Sequence, residues 1–204
     1  MDKGLKIESD SFDIIDNLVD LSKYDEGEAL VVRKLVHTTG DPEFADLAIV
    51  SDGGVAKGVQ ALKEKKPVIT DVTMVTAGIT KRYLDKTGVE VLCFINHPEV
   101  LKIAKETNQT RSEVAMVYAA ENYPDAVYAI GNAPTALYKI IELTREGKAN
   151  PSFIAGLPVG FVKAAESKEE LAGTDIPHVT NRGTKGGSPC AATVINGLLT
   201  LAAD

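Results

Sequence analysis

The 204-residue chain has no tryptophan, two cysteines, three histidines and only 5% aromatic residues. Two cysteines do not make a disulfide framework. Neither a CxxC nor an HxxxH spacing occurs, so the sequence offers no metal site. No GxGxxG follows a strand-like run, which removes the usual dinucleotide signature. No apolar stretch approaches the ~20 residues of a membrane span. Positive charge is also scarce: 22 Lys and Arg against 29 Asp and Glu give a net charge of −7. General nucleic-acid binding, which rests on a basic surface, is therefore excluded. Met1–Asp10 lack the apolar centre of a secretory signal, so a cytoplasmic location is expected.

What is present is an ordinary globular balance, 44% hydrophobic and 25% charged. The length fits one domain, residues 1–204, and no linker, repeat or low-complexity segment divides it. From residue 47 onward, short apolar runs alternate with helical patterns. The expected strands are Leu47–Ser51, Pro67–Asp71, Val89–Ile95, Ala126–Ile130, Ser152–Gly156 and Pro177–Asn181. Most are apolar without alternation, as strands buried on both faces are. Between them the spacing predicts helices over Val55–Lys65, Pro98–Thr107, Arg111–Asn122, Ala133–Glu146, Val162–Ala172 and Pro189–Ala202. Asn132 is the expected cap of the fourth of these. Two further helices, Ser11–Leu21 and Glu26–Thr38, precede the first strand. Such alternation implies parallel βαβ units and a three-layer α/β/α sheet. Ligands are then expected where strands end and helices begin.

The run Arg33-Lys34-Leu35-Val36-His37-Thr38-Thr39-Gly40-Asp41 puts a histidine in the last turn of a helix, with Gly40 as the stop signal. The carbonyl end of a helix favours a proton on that side chain. Arg33 and Lys34 lie one turn earlier on the same face and disfavour the proton until an anion neutralises them. A histidine that gains its proton as an anionic ligand docks suits general-acid chemistry. A solvated capping histidine on a basic face is the alternative these residues leave open.

Gly183-Thr184-Lys185-Gly186-Gly187-Ser188-Pro189 is the richest turn in the chain. Its glycines allow close backbone approach, Ser188 is the expected N-cap, and Pro189 suits the first helical position. The exposed helix amides beside Lys185 suit a phosphate or a carboxylate, a tight turn without a ligand being the alternative, and the order of residues is not that of a Walker loop. Thr110 and Glu113 frame a capping box that sets Arg111 at the start of its helix. A cation there opposes the helix dipole, a conflict that a shared anion would remove, or that pairing with Glu106 or Glu113 would settle without a ligand. His97 reads as a helix cap, His178 as structural and Cys93 as core, while Cys190 has no base identifiable beside it. Cations gathered at Arg33, Lys34, Arg111 and Lys185 in an acidic chain point to a polyanionic small molecule.

Several separated stretches stand out by their order and spacing. They are Ser11-Phe12-Asp13-Ile14-Ile15, Leu35–Asp41, Asp71–Val75 with Gly78-Ile79, Thr110-Arg111-Ser112, Ile130–Leu137, Gly156–Val162, Ala164–Lys168 and Lys185–Ser188. Together they resemble the precorrin-8X methylmutase family of cobalamin biosynthesis, including its cobalt-precorrin-8 branch, over nearly the whole chain. The resemblance implies a flavodoxin-like, mostly parallel sheet, a homodimer and a site near the subunit interface. It implies an isomerase that moves a methyl group from C11 to C12 of the corrin ring, giving hydrogenobyrinate or cobyrinate. No cofactor is implied, although the corrinoid substrate itself can carry cobalt. By the same resemblance His37 is the catalytic proton donor, and Ser11 and Arg111 hold the substrate. Lys185, Gly186, Gly187 and Ser188 would receive its acetate or propionate groups, with Arg33 and Lys34 as further substrate cations. The family usually carries arginine three residues before the histidine. Lys34 keeps the charge there but loses the two-pronged grip on a carboxylate. Two other readings stay open from the residues alone: a corrinoid carrier without chemistry, and an unrelated α/β enzyme holding a phosphate at Gly183–Ser188.

Overall fold

Six short strands fall inside the six expected runs: β1 (Ala48–Val50), β2 (Val68–Thr70), β3 (Val91–Cys93), β4 (Val127–Ile130), β5 (Phe153–Gly156) and β6 (His178–Asn181). The computed structural model describes residues 3–203. Met1, Asp2 and Asp204, which belong to the expected 1–204 domain and in part to the Met1–Asp10 reading, lie outside the described residues. The strands form one sheet in the order β1-β6-β5-β4-β2-β3. The five strands β2 to β6 run parallel to their neighbours. Counted from β2, their order is 2-1-3-4-5, the flavodoxin-like doubly wound order, with its switch point between β2 and β4. β1 is the exception. It pairs antiparallel with β6, Ile49 opposite Thr180, as an added edge strand commonly does.

Every residue of β4 is buried, which explains its unalternating apolar sequence. Val127 and Ala129 face one core, while Tyr128 and Ile130 face the other. The first core is closed mainly by α2 (Glu26–Thr39), α4 (Gly54–Lys63), α5 (Thr73–Gly78) and α11 (Ser188–Ala202). The second is closed by α7 (Pro98–Thr107), α8 (Arg111–Asn122) and α9 (Pro134–Arg145). The three layers are those expected. Each fully buried Leu, Ile or Val contributes about 1.5–3 kcal/mol.

Other elements differ from the expectation. α1 spans Lys3–Leu18 rather than Ser11–Leu21, and three short helices were not anticipated: α3 (Phe44–Leu47), α5, and α6 (Lys81–Thr87). α10 (Ala164–Ala172) starts two residues later than expected, because Lys163 before it takes φ 62°. Asn132 does not cap α9. Ala133 is the N-cap residue and makes no side-chain cap bond.

The packing of α2 on α11 positions the site. Gly197 admits Val31 so closely that an added Cβ would stand 3.0 Å from Val31 Cγ2. Thr38 Oγ1 lies 2.7 Å from Thr193 Oγ1 at one end of the pair, and Gly27 meets Leu201 at the other. The helices are therefore antiparallel. The last turn of α2 meets the first half of α11, at the carboxyl edge of the sheet.

Candidate active site

Asp25 and Glu28 close a reciprocal capping box at the start of α2, and Val31, Val32, Leu35 and Val36 bury its inner face. That face leaves Arg33, Lys34 and His37 on the outer side. The helix stops at Gly40, whose φ of 63° suits glycine and whose N–H donates to the Val36 carbonyl. His37 is exposed and stands between two shallow clefts. The polar one, about 290 Å³, is lined by Glu8, Lys34, His37, Thr38, Thr80, Arg82, Tyr83, Thr193 and Asn196. The apolar one, about 230 Å³, is lined by Ser11, Ile14, Ile15, Leu18 and Pro42 beside Val36, His37 and Gly40.

α1 organises this face. Phe12 meets the His37 ring edge-on with centroids 5.7 Å apart, and Arg33 and Lys34 stand 5.8 and 5.4 Å from the same Phe12 ring. Arg33 Nε donates to Asp16 Oδ1 at 2.6 Å, and Lys34 Nζ lies 3.0 Å from Glu8 Oε1. The two cations that sequence reasoning left for a ligand to neutralise therefore already have carboxylate partners. Ser11 Oγ donates to the Ile7 carbonyl at 2.8 Å. Ser11, Lys34 and His37 thus come together.

The glycine turn forms a third cleft, about 400 Å³, lined by Thr38, Thr39, Asp41, Phe44, Val159, Lys185, Gly186, Pro189 and Cys190. Thr38 joins it to the polar cleft. The Lys185 ammonium lies 2.5 Å from Asp41 and 2.6 Å from Glu43. Those hydrogen bonds push Lys185 up and Asp41 down from their ordinary values. Lys185 therefore ties the turn to the segment that follows His37. α11 begins one residue earlier than expected: Gly187, at φ 127°, is the N-cap residue and Ser188 is the first helical residue. No side chain caps these amides. Gly186 has φ 145°, and a Cβ there would lie 2.4 Å from the Leu157 carbonyl oxygen, so glycine is required.

Asp71 occupies the topological switch point. Its carboxylate accepts from the N–H groups of Gly131 (3.1 Å), Asn132 (2.8 Å) and Ala133 (2.8 Å). Burial pushes the Asp71 carboxyl up, and the three donors pull it the other way. The anion position at the start of α9, where a doubly wound fold often takes a phosphate, is thus filled by the chain's own side chain.

Arg111 stands exposed at the first position of α8, inside the expected Thr110–Glu113 capping box. Its Nη1 is 3.4 Å from Asn96 Oδ1, and it lines neither cleft beside His37. His97 holds the N-cap position of α7 without a side-chain cap bond. Its ring packs against Tyr118, centroids 4.5 Å apart. His178 is buried, with Nδ1 2.7 Å from the Ile176 carbonyl. Cys93 is only half-buried, because β3 is an edge strand.

Sequence reasoning passed over Arg82, Tyr83, Thr193 and Asn196 in the polar cleft. Arg82 looked like ordinary surface charge, yet it brings a second cation opposite Lys34. Thr200, then Arg82 and Lys34, hold the Tyr83 phenol below its ordinary value. The one available signal was the density of polar groups in Thr80-Lys81-Arg82-Tyr83. Among the described residues no three His, Cys, Asp or Glu side chains gather as a metal-binding group.

A flavodoxin-like sheet with an exposed histidine and a polar cleft holding Lys34 and Arg82 at its carboxyl edge is the arrangement of a doubly wound α/β ligand-binding fold. The precorrin-8X methylmutase family model matches residues 6–201. A cobalt-precorrin-8 methylmutase of Methanocaldococcus jannaschii is 40% identical, covering 98% of this chain and 94% of the relative. A precorrin-8X methylmutase of a Sinorhizobium species is 39% identical, covering 96% and 93%. The crystal structure of a precorrin-8X methyl mutase from Thermus thermophilus superposes with a TM-score of 0.91 at 37% identity, covering 98% of this chain and 96% of that one. The chain belongs to the precorrin-8X methylmutase family. It is an isomerase of cobalamin biosynthesis, a methylmutase for precorrin-8X or cobalt-precorrin-8.

Proposed function

We propose that the enzyme moves a methyl group from C11 to C12 of the corrin ring with His37 as general acid, giving hydrogenobyrinate or cobyrinate. The observation that carries this reading is the place of His37. It is exposed, braced by Phe12, and lies between an apolar cleft and a cleft with two cations. An amphipathic macrocycle needs both surfaces, an apolar floor for the ring and cations for its carboxylates. Substrate carboxylates that take the place of Glu8 on Lys34, or approach Arg82, hold the ring edge beside His37. The proton passes to the macrocycle and makes its conjugated system electron-poor. The C11–methyl bond breaks as the C12–methyl bond forms. A proton returned to His37 restores the acid, so substrate and product are isomers. A positioned acid contributes about 10²–10⁴-fold.

Ser11 and Arg33 support the ring side, and Lys185 to Ser188 receive peripheral carboxylates through backbone N–H groups. Arg111, on another part of the same sheet edge, acts on a ring held across a homodimer interface. Among the described residues no helix is long and apolar enough to cross a membrane. The test is incubation with metal-free and cobalt-containing substrate, followed by absorbance. Appearance of the product spectrum supports the reading. Tight corrinoid binding with no spectral change would support a carrier instead.

A further inference from the structure

α10 carries a buried cation that the chemistry above does not use. Lys168 is 0% exposed, and among the described residues no carboxylate lies within ion-pair distance of its ammonium. A buried ammonium without a counter-charge disfavours folding, and a methionine of similar size would fill the space. Its hydrogen bond goes to the Lys185 carbonyl oxygen, at 2.5 Å. The same oxygen accepts from Nδ2 of fully buried Asn181 at 2.9 Å. The side chain of Lys185 is held separately by Asp41 and Glu43, so this residue is fixed from both sides.

A trans peptide directs its N–H opposite to its C=O. With the Lys185 oxygen drawn inward, the Gly186 N–H points outward, into the cleft that Lys185, Gly186 and Pro189 line. That N–H has no acceptor among the described residues, whereas the next one, from Gly187, donates to the Leu157 carbonyl at 2.8 Å. We propose that Lys168 is a positioning residue for substrate binding: it pins the Lys185 carbonyl from behind and thereby presents the Gly186 N–H to a substrate carboxylate. This rests on the reading that the glycine turn receives corrinoid carboxylates. The neighbouring Cys190 thiol, pushed up to about 11 by burial, stays neutral. Burial draws Lys168 itself down to about 8, so at neutral pH it stays mostly protonated and its charge adds to the turn's attraction for an anion.

The test is Lys168→Met, read by thermal stability, the Gly186 amide resonance, the dissociation constant of the hydrogenobyrinate-type product, and kcat and KM. Loss of one charge-assisted contact should raise Kd and KM on the order of tenfold, with kcat within about twofold. The melting temperature should hold or rise, and the Gly186 amide should shift before any ligand is added. An unmoved amide, or unchanged Kd and KM, overturns the proposal. So does a fall in kcat at constant KM, or weaker binding that merely tracks lost stability. If Lys168→Met does not fold, Asn181→Ala removes the other donor to the same oxygen and must weaken binding in the same way. The wild type is titrated first: absence of corrinoid binding there refutes the proposed function, whereas the ligand-free Gly186 amide tests the pinning alone.

Discussion

Asp71→Asn isolates the clamp at the switch point. In the wild type one carboxylate oxygen accepts from Gly131 and the other from Asn132 and Ala133. An asparagine oriented to keep the latter two bonds turns its NH2 toward the buried Gly131 N–H. One hydrogen bond to a charged acceptor is lost, about 1.5–3 kcal/mol, and an N–H is left unpaired at a further 1–3 kcal/mol. Relief of the buried charge offsets part of this, leaving a net loss of roughly 2–3 kcal/mol. At about 2–4 °C per kcal/mol for a chain of this size, the melting temperature should fall by roughly 5–10 °C. Urea unfolding at neutral pH supplies the free energy, and hydrogen exchange should show the loss of protection centred on Gly131. A stability within about 0.5 kcal/mol of the wild type, the usual range for an inert surface change, would refute the clamp.

Gly131→Ala should disturb the same corner by sterics, because its Cβ would stand 2.6 Å from Ser188 Cα. A loss of at least about 1–3 kcal/mol by denaturant unfolding is expected, and a neutral result would contradict the close approach. Lys34→Ala should cost under about 1 kcal/mol of stability, since its partner Glu8 is half exposed. It should nevertheless weaken corrinoid binding, and more so at low salt; titration at two ionic strengths decides. Burial holds His178 below its ordinary value of 6.5, so the unfolded chain takes up this proton first as pH falls. The stability from neutral His178 is whole above pH 6.5 and declines below it by up to about 1.4 kcal/mol per pH unit. His178→Leu should remove that part of the acid slope, and an unchanged slope would show that His178 is not its source.

The sheet was legible because strands buried on both faces leave unbroken apolar runs, as in Val127–Ile130. The direction of β1 was not, since three residues on an edge carry no sign of their pairing sense. Short helices such as α3 and α5 present too few turns to show a period. Lys34 and His37 stood out together because they lie one turn apart on a single helix, whereas Ser11 was named only through the family resemblance and comes to the same face from α1. The pairing of Lys34 with Glu8 and of Arg33 with Asp16 was hidden, because contact between helices depends on how α1 closes on α2. Asp71 and Lys168 were missed as polar anchors for a related reason. Each acts on backbone distant in the chain, Asp71 on Gly131–Ala133 and Lys168 on Lys185, which no local pattern encodes. Lys185 showed the reverse: its charge suggested a substrate contact, yet Asp41 and Glu43 hold it.

The most direct test of His37 as the proton donor is single-turnover conversion of precorrin-8X by His37→Ala, measured beside product affinity. The expected result is a rate lower by about 10²–10⁴-fold with corrinoid affinity nearly unchanged. A rate near that of the wild type, or a loss of rate matched by an equal loss of binding, would contradict the assignment.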